Sequence, residues 1–170
     1  MIDDCIAVRP YTPEDGEAVT RLVAAFRVAL LALTGRAVEP DLPAAAGELR
    51  DYLDKRYPLF VATAGDGPCP IGYLVCRIDG ETAWAESLYV SPEHRRRGVA
   101  GRLYDAAEQI ARALGQDTLY NWVHPHNDAI ILFLKERGYD ALNLVEVRRR
   151  YGGEEIRGTL RVGDHEFAFG

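Results

Sequence analysis

SLYVSPEHRRRGVAGRLYDAAEQIARALG, residues 87–115, carries a strand, a turn and a helix in immediate succession. Leu88, Tyr89 and Val90 end an apolar run, and Ser91-Pro92 interrupts it. Beyond Gly98, the residues Val99, Leu103, Ala106, Ala107, Ile110 and Leu114 mark one apolar stripe up to Gly115, which predicts an amphipathic helix. The first amides of a helix lack intrahelical acceptors, so this turn gathers unpaired N–H donors around residues 96–101. Between Ser91 and Arg102 the one acid is Glu93, set against Arg95, Arg96, Arg97 and Arg102. Donors, helix dipole and guanidinium groups together suit phosphate oxygens, and Gly98 and Gly101 let a diphosphate approach the main chain. No Gly-Lys-Ser/Thr follows, so this is not a P-loop, and the glycine spacing is not that of a dinucleotide fingerprint. From the stretch alone, a solvated helix start with glycines serving tight packing stands equally open.

The flanking sequence divides into short elements of alternating type. Ile6 to Arg9 reads as a strand, and Thr12 caps a helix with Pro13 in its first turn and Glu14 and Asp15 at its positive end. That helix presents Val19, Leu22, Val23, Phe26, Leu30 and Leu33 on one stripe and stops at Gly35. A second is expected from Pro43 to Arg56, with Leu49, Leu53 and Tyr57 facing inward. Leu59 to Thr63, Ile71 to Ile78 and Thr82 to Val90 read as successive strands, the last two joined by an Asp79-Gly80 hairpin. After the central helix come a strand from Asp117 to Val123, a helix from Asn127 to Arg137 closed by Gly138, and a strand from Ala141 to Arg149. A hairpin strand follows within Glu154 to Phe169. This order predicts a mixed α/β sheet with helices on its faces, in one domain over residues 1–170.

Twenty Lys and Arg against twenty-six Asp and Glu give a formal charge of -6, the wrong sign for a surface that tracks nucleic acid or anionic lipid. No nucleic-acid partner is therefore expected. Cys5, Cys69 and Cys76 are odd in number, lack metal-type spacing and follow no secretory signal, so a reducing cytoplasm is the expected location. The most apolar run, Leu22 to Leu33, is interrupted by Arg27 and is shorter than the roughly 20 residues of a membrane span. No membrane partner is expected. His124-Pro125-His126 lacks a third ligand at a convincing spacing and reads as a turn, so no metal is expected. Arg148, Arg149 and Arg150 alternate across a strand and read as a solvated edge.

SLYVSPEHRRRGVAGRLYDAAEQIARALG resembles the acetyl-CoA signature of the GNAT N-acetyltransferases, a strand ending in Val followed by Arg/Gln-x-x-Gly-x-Gly/Ala at a helix start. The match falls on Arg95, Gly98 and Ala100. RPYTPEDGEAVTRL resembles the family's first strand and helix, and NDAIILFLKERGYD its later helix, so the resemblance spans roughly residues 6–150. It implies a central, mainly antiparallel twisted sheet of six to seven strands. It also implies that the amides of Arg96, Arg97, Gly98, Val99, Ala100 and Gly101 hold the CoA pyrophosphate. The main chain of Leu88, Tyr89 and Val90 would pair with the pantetheine arm, and Asn127 would contact the cofactor arm.

Acetyl transfer to an amine needs a proton acceptor, because an alkyl ammonium with a pKa of about 10.4 is protonated at neutral pH. Glu86 matches a position where family members carry such a carboxylate. Trp84, two residues earlier, is expected to dry that face and raise the carboxyl pKa toward a useful range. The alternatives for Glu86 are a solvated strand residue or a partner for a nearby arginine. The family's tyrosine that protonates the departing thiolate falls at Leu134, which cannot donate a proton. The expected activity is therefore acetyl transfer from acetyl-CoA to a primary amine, on a small molecule or a protein, by direct base-assisted attack. A non-catalytic acyl-CoA-binding regulatory module is the competing reading, and a homodimer is left open.

Overall fold

In the computed structural model, which describes residues 6–65 and 67–169, β1 (Ile6–Pro10) leads through a short 3-10 turn into α1 (Gly16–Leu33). The turn is locked by Asp15, whose carboxylate accepts from Thr12 N at 2.8 Å and from two Arg9 donors at 2.7 and 2.8 Å. Asp15 is buried while the Arg9 side chain keeps 38% of its exposure. The Arg9 hydrogen bonds hold the Asp15 carboxyl below its ordinary pKa. A depressed folded-state value means that the pair stabilises the fold above about pH 4 and that this contribution is lost as pH falls through the folded pKa. Asp15→Asn is expected to lower stability by about 2 kcal/mol at pH 7, less than the roughly 3–5 kcal/mol of a fully buried pair because Arg9 stays hydrated. Urea unfolding at pH 7 and pH 3 checks this: the gap between the two proteins should narrow at the lower pH.

α2 (Leu42–Asp54) begins at Asp41, whose Oδ1 accepts from Ala44 N at 2.9 Å. It turns Ala45, Leu49 and Tyr52 inward against Val19, Leu22, Val23 and Ala24 of α1. Leu53, expected to face inward, is 40% exposed. Tyr52 takes that place because residues 45, 49 and 52 follow the i, i+4, i+7 stripe, whereas residue 53 lies about 100° further round the helix.

β2 (Leu59–Ala64), β3 (Pro70–Asp79) and β4 (Thr82–Val90) form an antiparallel meander, and β1 pairs with β2. Asp79 pairs with Thr82 across the hairpin, where Gly80 supplies a φ of 61°. Val61, Tyr73 and Val75 share a core with α1 and α2. The intervening Leu74 and Cys76 are also buried and point the other way. α3 (Val99–Ala113) packs against β2, β3 and β4 and buries Val99, Leu103, Tyr104, Ala107 and Ala111. β5 (Tyr120–Asn121) adds the only parallel pairing among the described residues, beside β4.

Among the described residues the central sheet thus has five strands in the order β1-β2-β3-β4-β5, rather than six to seven. The strand expected over Asp117–Val123 is reduced to two residues. Residues 6–122 form one compact unit and residues 123–169 a second. The second contains α4 (Asp128–Glu136) and a separate hairpin of β6 (Gly158–Val162) and β7 (His165–Phe169), where His126 and Phe169 stack with ring centres 5.0 Å apart. No strand forms over Ala141–Arg149. Arg148 instead closes a local loop: it pairs with Glu154 at 2.5 and 3.0 Å and stacks on Tyr151, whose amide also bonds Glu154. Of the three arginines read as a solvated strand edge, Arg148 is engaged within that loop.

Cys69 and Cys76 are free thiols, and Cys5 lies outside the described residues. Among the described residues no helix is long and apolar enough to cross a membrane.

Candidate functional site

The junction of β4 and α3 is held by short-range bonds. Ser91 donates through both its amide and its hydroxyl to Ile71 O, each at 2.9 Å, and its Oγ lies 3.0 Å from His94 Nδ1. Arg95, expected at the phosphates, turns back instead: its Nε donates to Val90 O at 2.9 Å and its guanidinium lies 5.2 Å from the Tyr89 ring centre. It braces the strand end. Arg96 then adopts a left-handed φ of 59° and Gly98 one of 80°. Such turns direct successive N–H groups to one side, which makes an anion-binding concavity. Gly98 is the N-cap of α3 and has no side chain to offer, so the first amides of the helix carry no side-chain cap. A Cβ built on Gly98 would meet nothing within 4 Å, so the space over this backbone is open. Arg96 and Arg97 are exposed beside it.

β4 has a second irregularity. Ala85 pairs with Cys76 and Ser87 with Val75, so Glu86 is an extra residue in the ladder, a β-bulge. On its other edge β4 pairs with β5 only through Trp84–Tyr120 and Ala85–Asn121. From Glu86 to Val90 that edge has no strand partner among the described residues, so the main chain of Leu88 and the amide of Val90 face it, while Val90 O already accepts from Arg95 and Tyr89 pairs with Tyr73 on the β3 side. β5 is secured from behind by Tyr104, buried in α3, whose hydroxyl donates to Asn121 Oδ1 at 2.5 Å. The Tyr89 ring packs near Phe26, with centres 6.2 Å apart, and so belongs to the core rather than to the open edge.

The Glu86 carboxylate, 27% exposed, lies 3.1 Å from Arg77 Nε. Partnership with an arginine was one of the alternatives read from the sequence. Arg77 stands directly opposite Trp84 across the ladder. Its guanidinium carbon is 4.9 Å from the Trp84 ring centre and 4.9 Å from that of Trp122. Trp84 also packs against Tyr120 and Trp122, at 5.1 and 5.2 Å between ring centres. The sequence reading named neither Arg77 nor Trp122. The Asp79-Gly80 hairpin fixes which β3 residue faces Trp84, so counting back from the turn could have found Arg77.

A second group, also missed, lies beside the bulge. Buried Ser87 and Tyr73 share a 2.7 Å hydrogen bond, and nearby the Tyr52 hydroxyl donates to Glu48. Arg27 closes the chain on Glu48 with contacts at 2.5 and 2.7 Å. Burial pushes both phenols well above their ordinary pKa, keeping them protonated. Arg27 and Glu48 also line a cavity of about 260 Å³ together with Val38, Glu39 and Asp41, and none of the site residues expected from the sequence lines it.

Asn127 belongs to the second unit, where its Oδ1 accepts from Ile130 N at 3.4 Å and caps α4. Leu134 is buried in the same helix. His126 N donates to His124 Nδ1 at 3.2 Å, as in a turn. Among the described residues no group of three His, Cys, Asp or Glu could hold a metal ion.

Residues 25–139 match the model of the acetyltransferase (GNAT) family, and the chain belongs to that family. The fold resembles that of an aminoglycoside N-acetyltransferase solved with CoA, with a TM-score of 0.65 and 19% identity over 86% of this chain and 95% of that one. It also resembles an aminoglycoside acetyltransferase from an uncultured soil metagenomic sample, solved with sisomicin (TM-score 0.60, 18% identity, 89% and 97% covered). A third similar structure is Ard1 from Thermoplasma volcanium (TM-score 0.56, 25% identity, 78% and 81% covered). No match was found among curated proteins.

Proposed function

We propose that this chain transfers the acetyl group of acetyl-CoA to a primary amine of a small molecule or a protein. The observation that carries the reading is the β4–α3 junction: an uncapped helix start with two left-handed residues adjoins a strand edge that opens at a carboxylate. Acetyl-CoA, when bound, supplies a thioester activated toward amines. The amides of residues 96–101 receive the pyrophosphate, with charge from Arg96 and Arg97. The main chain of Leu88, Tyr89 and Val90 orients the pantetheine arm. Glu86 takes the proton that the attacking amine loses. With leucine at position 134, the thiol leaves without that helix's acid, which its pKa of about 8.5 permits.

The net charge of -6 favours a cationic acceptor, and two structural relatives are named for aminoglycosides, themselves amines. The buried Leu134 favours the second reading, a non-catalytic acyl-CoA binder. An amine panel with acetyl-CoA, followed by release of free thiol, decides between them. Acceptor-dependent release supports the enzyme; CoA binding with no transfer to any amine supports the binder.

The three arginines should separate. Arg96→Ala and Arg97→Ala are each expected to weaken CoA binding about tenfold, the scale of one charge-assisted hydrogen bond, with the loss shrinking at high salt. Arg95→Ala is expected instead to lower thermal stability by about 1 kcal/mol through the lost bond to Val90 O. Calorimetric titration and melting curves measure both, and equal neutrality of all three would remove the electrostatic role.

A further inference from the structure

We propose that Arg77 is a positioning residue for the transfer reaction, held against the rings of Trp84 and Trp122 so as to keep the Glu86 carboxylate in place on the bulge. The inference rests on Glu86 being the proton acceptor. A bulge residue is the least constrained point of a strand, because it lacks a ladder partner. Something other than pairing must therefore fix the direction of Glu86.

Arg77 is placed to do so. It comes from the neighbouring strand, opposite Trp84, and approaches Glu86 Oε2 to 3.1 Å. That approach is a charge contact rather than an aligned bond, since Arg77 Nε is buried without a hydrogen-bond partner. The hold on Arg77 comes from the rings: its guanidinium lies 4.9 Å from each indole, in reach of cation–π attraction to both, and the two ring centres are themselves 5.2 Å apart, so the three groups form one packed cluster. Indoles supply this attraction best, and a planar guanidinium lies against such rings as an ammonium cannot. Trp122 joins the cluster while remaining 70% exposed. A large aromatic side chain kept in water contributes little to the core, so its contacts with Arg77 and Trp84 are the work it does here.

The test is a set of kinetic cycles on the full chain with acetyl-CoA and an active amine from the panel. Arg77→Met should lower kcat about tenfold with the KM for acetyl-CoA unchanged, and Arg77→Lys should recover part of the loss. Trp122→Leu, an exposed change that leaves the core intact, should lower kcat about threefold. In a Glu86→Gln background neither substitution should have any further effect, because there is no basic carboxylate left to position. Melting temperatures identify any variant that fails to fold, and Trp122→Leu keeps the test available if Arg77→Met is one of them. Wild-type kcat in Arg77→Met and Trp122→Leu, beside an inactive Glu86→Gln, overturns the positioning role while sparing the base. Losses of equal size in both backgrounds overturn it as well. Full activity of Glu86→Gln overturns the base itself, and the positioning role with it.

Discussion

Glu86→Gln is expected to cut kcat by at least about a hundredfold, while acetyl-CoA affinity stays within about twofold of the parent. Glutamine keeps the length and shape of the side chain and an oxygen to face Arg77. It preserves the bulge, the packed rings and the open strand edge, and removes the basicity together with the negative charge that faces Arg77. An effect confined to kcat would mean that the carboxylate acts in the transition state rather than in binding. Unchanged turnover would remove Glu86 from the chemistry.

Gly98→Val should raise the KM for acetyl-CoA at least about thirtyfold, with about tenfold for Gly98→Ala. Gly98 sits at a φ of 80°, where an L-residue costs about 1–2 kcal/mol and a β-branched one more. The protein itself has room for the added atoms, since a Cβ there meets nothing within 4 Å. The conflict is with the backbone angle and with whatever approaches that backbone. Either the turn keeps its shape under strain, or it relaxes and turns the amides away from the phosphates. Both weaken binding, and strain that stays in the turn also costs stability, so the melting temperature should drop by about 2–8 °C. Gly152→Ala, at an open position without a positive φ, is the matched control and should change neither quantity. A Gly98→Val protein with parental KM would show that no ligand uses this backbone.

The parts of this fold that were legible in the sequence are those governed by local rules. Thr12, Pro13 and Asp15 announced the start of the first helical segment, Asp79-Gly80 a hairpin, and Gly115 and Gly138 two helix ends, and the structure has each of them. What escaped depends on partners distant along the chain. Residues 141–149 have the composition of a strand, but strands exist only where an edge receives them, and Arg148 is drawn into a loop by Glu154. The inward turn of Tyr52 follows from its packing with Val61, Tyr73 and Val75 of the sheet, groups a sequence window cannot place beside it. At the site, the glycine-rich turn was readable because three arginines and two glycines stand within a few residues. The diversion of Arg95 to Val90 O was not, since Arg95, Arg96 and Arg97 are identical in chemistry and differ only in backbone direction. Nor was the bulge. Alternation of side chains continues plausibly through residue 86, and only the register against β3 reveals the extra residue.

That extra residue has a consequence in genetic terms. Because Ala85 pairs with Cys76 and Ser87 with the adjacent Val75, deleting the single codon for residue 86 would splice two registers that already agree. β4 would become an unbroken strand in which the flanking pairs keep their partners, without the proposed proton acceptor. On the proposed function, one in-frame deletion would thus separate transfer from simple acyl-CoA binding. Return requires an insertion at the same codon, so the two states are separated by an event much rarer than a point substitution.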